Sequence, residues 1–167
     1  APLASLSGDV LVLAARSGKD GAELIGNVDG SEQISAHFST FGFTGKADEL
    51  LRLPSSVDGF GSIAVVGLGK DASANFLRNA AASAVRQLAG ASSIVLAFGV
   101  ATDEDALATV EGATLGGYVF NVFRGKTKDA QKAPVESVTI ATAATLGDEV
   151  LSRVDVLADA VNFVKDL

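Results

Sequence analysis

Cysteine, methionine and tryptophan are absent from this chain, and histidine occurs once. Without cysteine there can be no disulfide and no thiolate metal ligand. A zinc site needs several ligands, and His37 has neither a second histidine nor a loop that spaces carboxylates beside it. The same scarcity excludes a Cys–His pair and leaves a Ser–His–Asp triad without support. No apolar run approaches the ~20 residues of a membrane-spanning helix. The opening APLASLSGD lacks the basic start and apolar stretch of a signal peptide, and it begins with Ala1 rather than Met, as a processed or cropped start would. Positive charge is also short: 13 Lys and Arg stand against 20 Asp and Glu, for a net charge of −7 and a pI near 4.6. That disfavours duplex nucleic acid, whose binding rests on cations neutralising phosphates, and an anionic membrane surface. The chain is expected to be soluble and cytoplasmic, with no membrane partner and with nucleic acid disfavoured.

What the chain does have is aliphatic. Hydrophobic residues make up 48% of it, so its core is built from Ala, Val, Leu, Ile and Phe. Asp9–Ala15 (DVLVLAA), Ser62–Leu68 (SIAVVGL) and Ser93–Phe98 (SIVLAF) read as strands buried on both faces. Val135–Ala141 (VESVTIA) reads as a fourth, and Glu23–Ile25 as a short early strand. A helix is expected after Asp29-Gly30-Ser31, with Ile34, Phe38 and Phe41 at helical spacing. The stretch FGFTGKADELLRLPSSVDGFG reads as loop plus edge strands. From about Ala72 to Ala89, Phe76, Leu77, Ala80, Ala81, Ala84, Val85 and Leu88 form an apolar stripe, opposite Asn79, Ser83, Arg86 and Gln87. Thr102 and Asp105 resemble a capping box for the next helix. A last helix begins near Asp148, with Val150, Val154, Leu157, Val161 and Val164 on one face. Strand–helix alternation through the second two thirds predicts an α/β fold, mostly parallel, with helices on both faces and an antiparallel portion from the N-terminal third.

Each candidate site has a plain structural reading beside it. Gly67-Leu68-Gly69-Lys70-Asp71-Ala72 matches the loose G-x-G-x-x-G/A pattern that presents backbone amides to a pyrophosphate. No acid closes the following strand, however, and the plain reading is a tight turn that uses glycine's conformational freedom. His37 reads as a surface or half-buried residue. Asp103-Glu104-Asp105 could suggest a metal cluster, but acids favour helix N-termini because the helix dipole is positive there. Glu111 has no partner carboxylate for acid–base work. Arg124, Lys126 and Lys128 form a small basic cluster, read as a solvated helix end.

Gly116 and Gly117 lie side by side within a helix expected to run from Glu111 to Phe123. A glycine in a helix interior costs roughly 1 kcal/mol against alanine. Ala113, Gly116 and Gly117 share a face, and Tyr118, Phe120 and Phe123 supply bulk on the next turn. Close packing against another element accounts for the pair better than a ligand at bare backbone, since no polar set accompanies it.

These residues carry a resemblance. Glu111-Gly112-x-x-Leu115-Gly116-Gly117-Tyr118-x-Phe120-x-x-Phe123-Arg124 resembles a stretch in the N-terminal domain of leucyl (cytosol) aminopeptidases. Val65-Val66-Gly67-Leu68-Gly69-Lys70 is similar to that family's strand-turn V-G-L-G, and Arg78–Leu88 (RNAAASAVRQL) to the helix that follows it. Ala158–Leu167 (ADAVNFVKDL) resembles the helix leading into the catalytic domain, with Lys165 where the family usually has Arg. The matches run in order over residues 62–167, and Asp9–Ala15 is compatible with them.

The resemblance implies a single domain over 1–167 with a macro-like fold, a three-layer mixed sheet between helices. It implies two-metal aminopeptidases, usually hexameric, whose ligands and catalytic groups lie in a C-terminal domain around N-T-D-A-E-G-R-L. That motif does not occur here, so no catalytic, cofactor or metal residue carries over to this chain. The two divalent ions, zinc or manganese, belong to the catalytic domain, and that domain is the implied partner. The N-A-A-N and G-G-G-V features of ADP-ribose-binding macro domains are also missing. Two other readings remain: a small-ligand module that binds a nucleotide or ADP-ribose at Gly67–Ala72, and a DNA-binding accessory domain.

Overall fold

In the computed structural model the described residues are 3–26, 28–117, 132–142, 147–148, 152, 154, 156 and 159. The architecture grows from one strand, β1 (Gly8–Ser17). Val10 to Ala15 expose 0–1% of their surface. Alternate residues point to opposite faces of a strand. Val10, Val12 and Ala14 therefore enter one core, and Leu11, Leu13 and Ala15 the other. Both edges of β1 are paired as well. Strand β4 (Phe60–Gly69) runs parallel along one edge, from Gly8↔Phe60 to Arg16↔Gly69. The other edge is divided. Strand β5 (Ser93–Val100) pairs in parallel with Val10–Leu13, and the short β2 (Ala22–Ile25) pairs antiparallel with Ala14–Ser17.

Strand β3 (Leu50–Pro54) lies antiparallel outside β4, and β6 (Ser137–Thr142) lies parallel outside β5. The path across the sheet is β3-β4-β1-β5-β6, with β2 attached to β1. Helix α1 (Ser31–Phe41) covers one face through Ile34 and Phe38. Helices α2 (Ala74–Gln87) and α3 (Asp103–Gly116) cover the other. The result is the three-layer, mostly parallel mixed sheet expected from the sequence, and its antiparallel pairs come from the N-terminal third as expected. Asp148, Ser152, Val154, Val156 and Asp159 are helical, with Val154 buried.

Local details differ in informative ways. The cap of α1 is Gly30 in the left-handed conformation, with no side-chain cap bond. Phe41 continues the helical spacing of Ile34 and Phe38 but is 59% exposed. On α2, Ser83 is buried although the stripe places it on the polar side. Its hydroxyl accepts from Gln87 Nε2 at 2.8 Å, and the same amide donates to the Asp48 carbonyl at 3.0 Å. The other residues of that side, Asn79, Arg86 and Gln87, are exposed as the periodicity predicts. The Thr102 half of the expected capping box is present at α3: Thr102 Oγ1 accepts from the Asp105 amide at 3.1 Å, and its hydroxyl donates to the Asp105 carboxylate at 2.7 Å.

The glycine reading is corrected in its residues and borne out in its cause. Helix α3 ends at Gly116 with Gly117 as its C-cap, so the pair closes the described helix rather than lying in its interior. The close approach involves Gly112 and Gly116, one turn apart on the face that meets α2. A Cβ on Gly112 would lie 2.0 Å from the Arg78 carbonyl oxygen, and one on Gly116 would lie 2.5 Å from that of Ala82. Gly117 has nothing nearer than 3.6 Å. Beside the contact, Glu111 Oε2 accepts from Arg78 Nε at 2.8 Å, and Asn75 Oδ1 accepts from Arg78 Nη1 at 2.6 Å. The ion pair reaches 2.7 Å at Nη2, and its Glu111 end is only 17% exposed. Tyr118, Phe120, Phe123 and the basic residues Arg124, Lys126 and Lys128 lie outside the described residues.

Alanine improves helix propensity by about 1 kcal/mol over glycine, but a methyl placed 2.0 Å from a carbonyl oxygen must push the helices apart. Overpacking of this kind costs about 1–3 kcal/mol. Gly112→Ala and Gly116→Ala should therefore each lower the urea midpoint followed by circular dichroism. Gly117→Ala should leave it unchanged or raise stability by about 0.4–1 kcal/mol. Equal behaviour of all three variants would contradict the packing account.

Candidate functional site

In an open α/β sheet, ligands bind outside the carboxyl ends of the strands, where successive connections leave in opposite directions. Here the chain leaves β1 for β4 on one side, then crosses by α2 to β5 on the other. The crevice would open between the carboxyl ends of β1 and β5. Strand β2 fills it, taking the edge of β1 where β5 stops pairing. Gly26, just after β2, and Gly99 of β5 meet so closely that a Cβ on Gly99 would lie 2.8 Å from the Gly26 α-carbon. Both have positive φ.

The β4 side is closed by residues 43–49. Phe43 is buried with the α1-side core. Gly45 (φ 73) packs on the end of β1, where a Cβ would lie 2.7 Å from the Arg16 carbonyl oxygen. The Lys46 carbonyl covers Gly67, whose added Cβ would fall 1.8 Å from it. The Gly67 amide donates to the Glu49 carbonyl at 2.8 Å, and the Gly69 amide to that of Gly45 at 2.9 Å. The Glu49 carboxylate clasps the loop. It accepts from the Thr44 hydroxyl at 2.7 Å and from the amides of Thr44 at 2.8 Å and Lys46 at 3.3 Å. Ser17 Oγ donates to the Thr44 carbonyl at 2.9 Å, and Asp48, at φ 67, pairs with Arg86 at 3.3 Å. Partial burial pushes the Glu49 carboxyl upward, but the Thr44 hydroxyl and the amides of Thr44, Lys46 and Gly45 outweigh it and hold the pKa below its ordinary 4.5.

The sequence candidates fall into place around this closure. Gly67, Leu68 and Gly69 belong to β4, and α2 does not begin until Ala74. The expected tight turn is corrected, because Gly67 to Gly69 close strand β4 and of these only Gly69 has a positive φ. The two glycine amides bond loop carbonyls, and Leu68 is buried. His37 is exposed on α1, its ring centroid 6.1 Å from that of Phe41. Asp103, Glu104 and Asp105 occupy the first turn of α3. Glu111 faces Arg78 rather than a second carboxylate. Among the described residues no three of His, Cys, Asp or Glu converge to hold a metal ion. The loop clasp was missed by sequence reasoning. Its only signal is Thr44-Gly45 followed by Glu49, an ordinary pattern for a loop.

Cavities also lie elsewhere among the described residues. One, about 450 Å³, runs between α1 and β3 along Ile34, His37, Phe41, Leu53 and Pro54. Another, about 410 Å³, lies at the amino end of β1 beside Asp9, Arg52, Gly90 and Lys132. In the second, the Asp9 carboxylate accepts from the Ser92 and Ser93 amides at 2.8 and 3.1 Å, and Arg52 Nη2 donates to Ser62 Oγ at 3.3 Å. The first cavity also has Ser55 and Ser56 along its wall with His37, and the Ser55 hydroxyl is engaged with the Val57 backbone rather than with the imidazole.

The sheet, its closed crevice and the glycine-packed helix pair can be set against known proteins. The family model described as "Cytosol aminopeptidase family, N-terminal domain" matches residues 11–127. The chain belongs to the cytosol aminopeptidase family. A probable cytosol aminopeptidase of Leifsonia xyli subsp. xyli is 40% identical over 100% of this chain and 33% of its own length. Another, of Micrococcus luteus, is 34% identical over 99% of this chain and 35% of its own. Among solved structures, the bottromycin maturation enzyme BotP in complex with Mn matches 96% of this chain and 32% of its own, with a TM-score of 0.67 at 26% identity. The chain thus spans about a third of the length of these relatives and corresponds to the family's N-terminal domain.

A depressed folded-state pKa means that the Glu49 carboxylate stabilises the fold fully above its unfolded value of about 4.5, and that this contribution is lost as pH falls through the lower folded value. Glu49→Gln should flatten stability against pH in that acid window. Hydrogen bonds to a charged group are worth about 1.5–3 kcal/mol. Native-state hydrogen exchange at the Gly67 and Gly69 amides should therefore quicken roughly tenfold or more in Glu49→Gln, while Ile63–Val66 change less. Unaltered exchange at both glycines would show that the carboxylate does not hold the loop.

Proposed function

We propose that this chain serves as the non-catalytic N-terminal domain of a two-metal aminopeptidase that removes N-terminal residues, leucine preferred, from peptides. The observation that carries the proposal is the N-terminal-domain match over residues 11–127, together with relatives about three times as long. In this reading residues 1–167 form one domain. Its partner is the C-terminal catalytic domain of the same parent, which holds both divalent ions, zinc or manganese. No residue of this chain acts on the substrate. The contribution of the domain is packing, assembly or access in a cytoplasmic enzyme that assembles as a homohexamer. The filled crevice at β1 and β5 supports a structural role over a nucleotide-binding one.

The test is a pair of assays with a leucine anilide and added Mn²⁺ or Zn²⁺. The full-length parent should hydrolyse it and lose activity on chelation, and the 167-residue chain should show no turnover above buffer. Metal-dependent hydrolysis by this chain alone would overturn the assignment. A monomeric full-length parent in sedimentation would remove the assembly role.

Calorimetric titration with ADP-ribose addresses the nucleotide reading separately. No saturable heat is expected, because the Gly67 and Gly69 amides already have partners. Saturable binding that weakens in Gly69→Val would show that the β4 turn receives a ligand.

A further inference from the structure

We draw no further inference here: the strongest candidate, the apolar groove between α1 and β3 lined by Ile34, His37, Phe41, Leu53 and Pro54, carries nothing because nothing in the structure shows what covers it.

Discussion

The burial of β1 on both faces and along both edges is the constraint from which the architecture follows. A strand of Val, Leu and Ala with almost no exposure has no side that can face water. Its parallel neighbours require crossover connections, and the crossovers place helices on the faces. Helix α1 seals one face, and the pair α2 and α3 seals the other. Two helices can share one face only if they lie close together, and Gly112 and Gly116 make that possible by leaving the backbone of α2 room at Arg78 and Ala82. The Arg78–Glu111 ion pair ties the same two turns. In the Glu111-Gly112 step of the aminopeptidase-like stretch, the acid holds α2 and the glycine lets it approach.

The same strand explains how the crevice between β1 and β5 is filled among the described residues. The upper part of its β5-side edge is taken by β2, a strand the chain folds back from β1 itself. The β4 side is closed by a loop whose carbonyls accept the amides a phosphate would need. An α/β sheet is a common host for ligands, but here the Gly67 and Gly69 amides are already satisfied by loop carbonyls.

The strongly periodic elements were legible in the sequence. Continuous apolar runs marked β1, β4 and β5 because strands buried on both faces have no polar alternation to blur them, and the α2 stripe marked its buried face. The burial of Ser83 was not legible, since the Gln87 amide bonded to its hydroxyl also reaches a loop distant in sequence. The Thr44–Glu49 clasp was illegible for a similar reason. Its hydrogen bonds are local, but its significance depends on Gly67, which only the β3–β4 pairing brings beside it. For the glycine pair, helical spacing pointed to a close-packed face. Choosing Gly112 over Gly117 required knowing where α2 lies.

The shared edge of β1 also bears on how the chain acquires its shape during synthesis. The central strand leaves the ribosome before its β5 partner, and Asp9 bonds to Ser93, a residue 84 positions later. Long-range pairing of this kind is slow and leaves apolar surface open in the meantime. The antiparallel return of β2 covers part of that edge at once, from the adjoining sequence. The element that fills the crevice in the finished domain is thus also the first partner available to shield the nascent core strand.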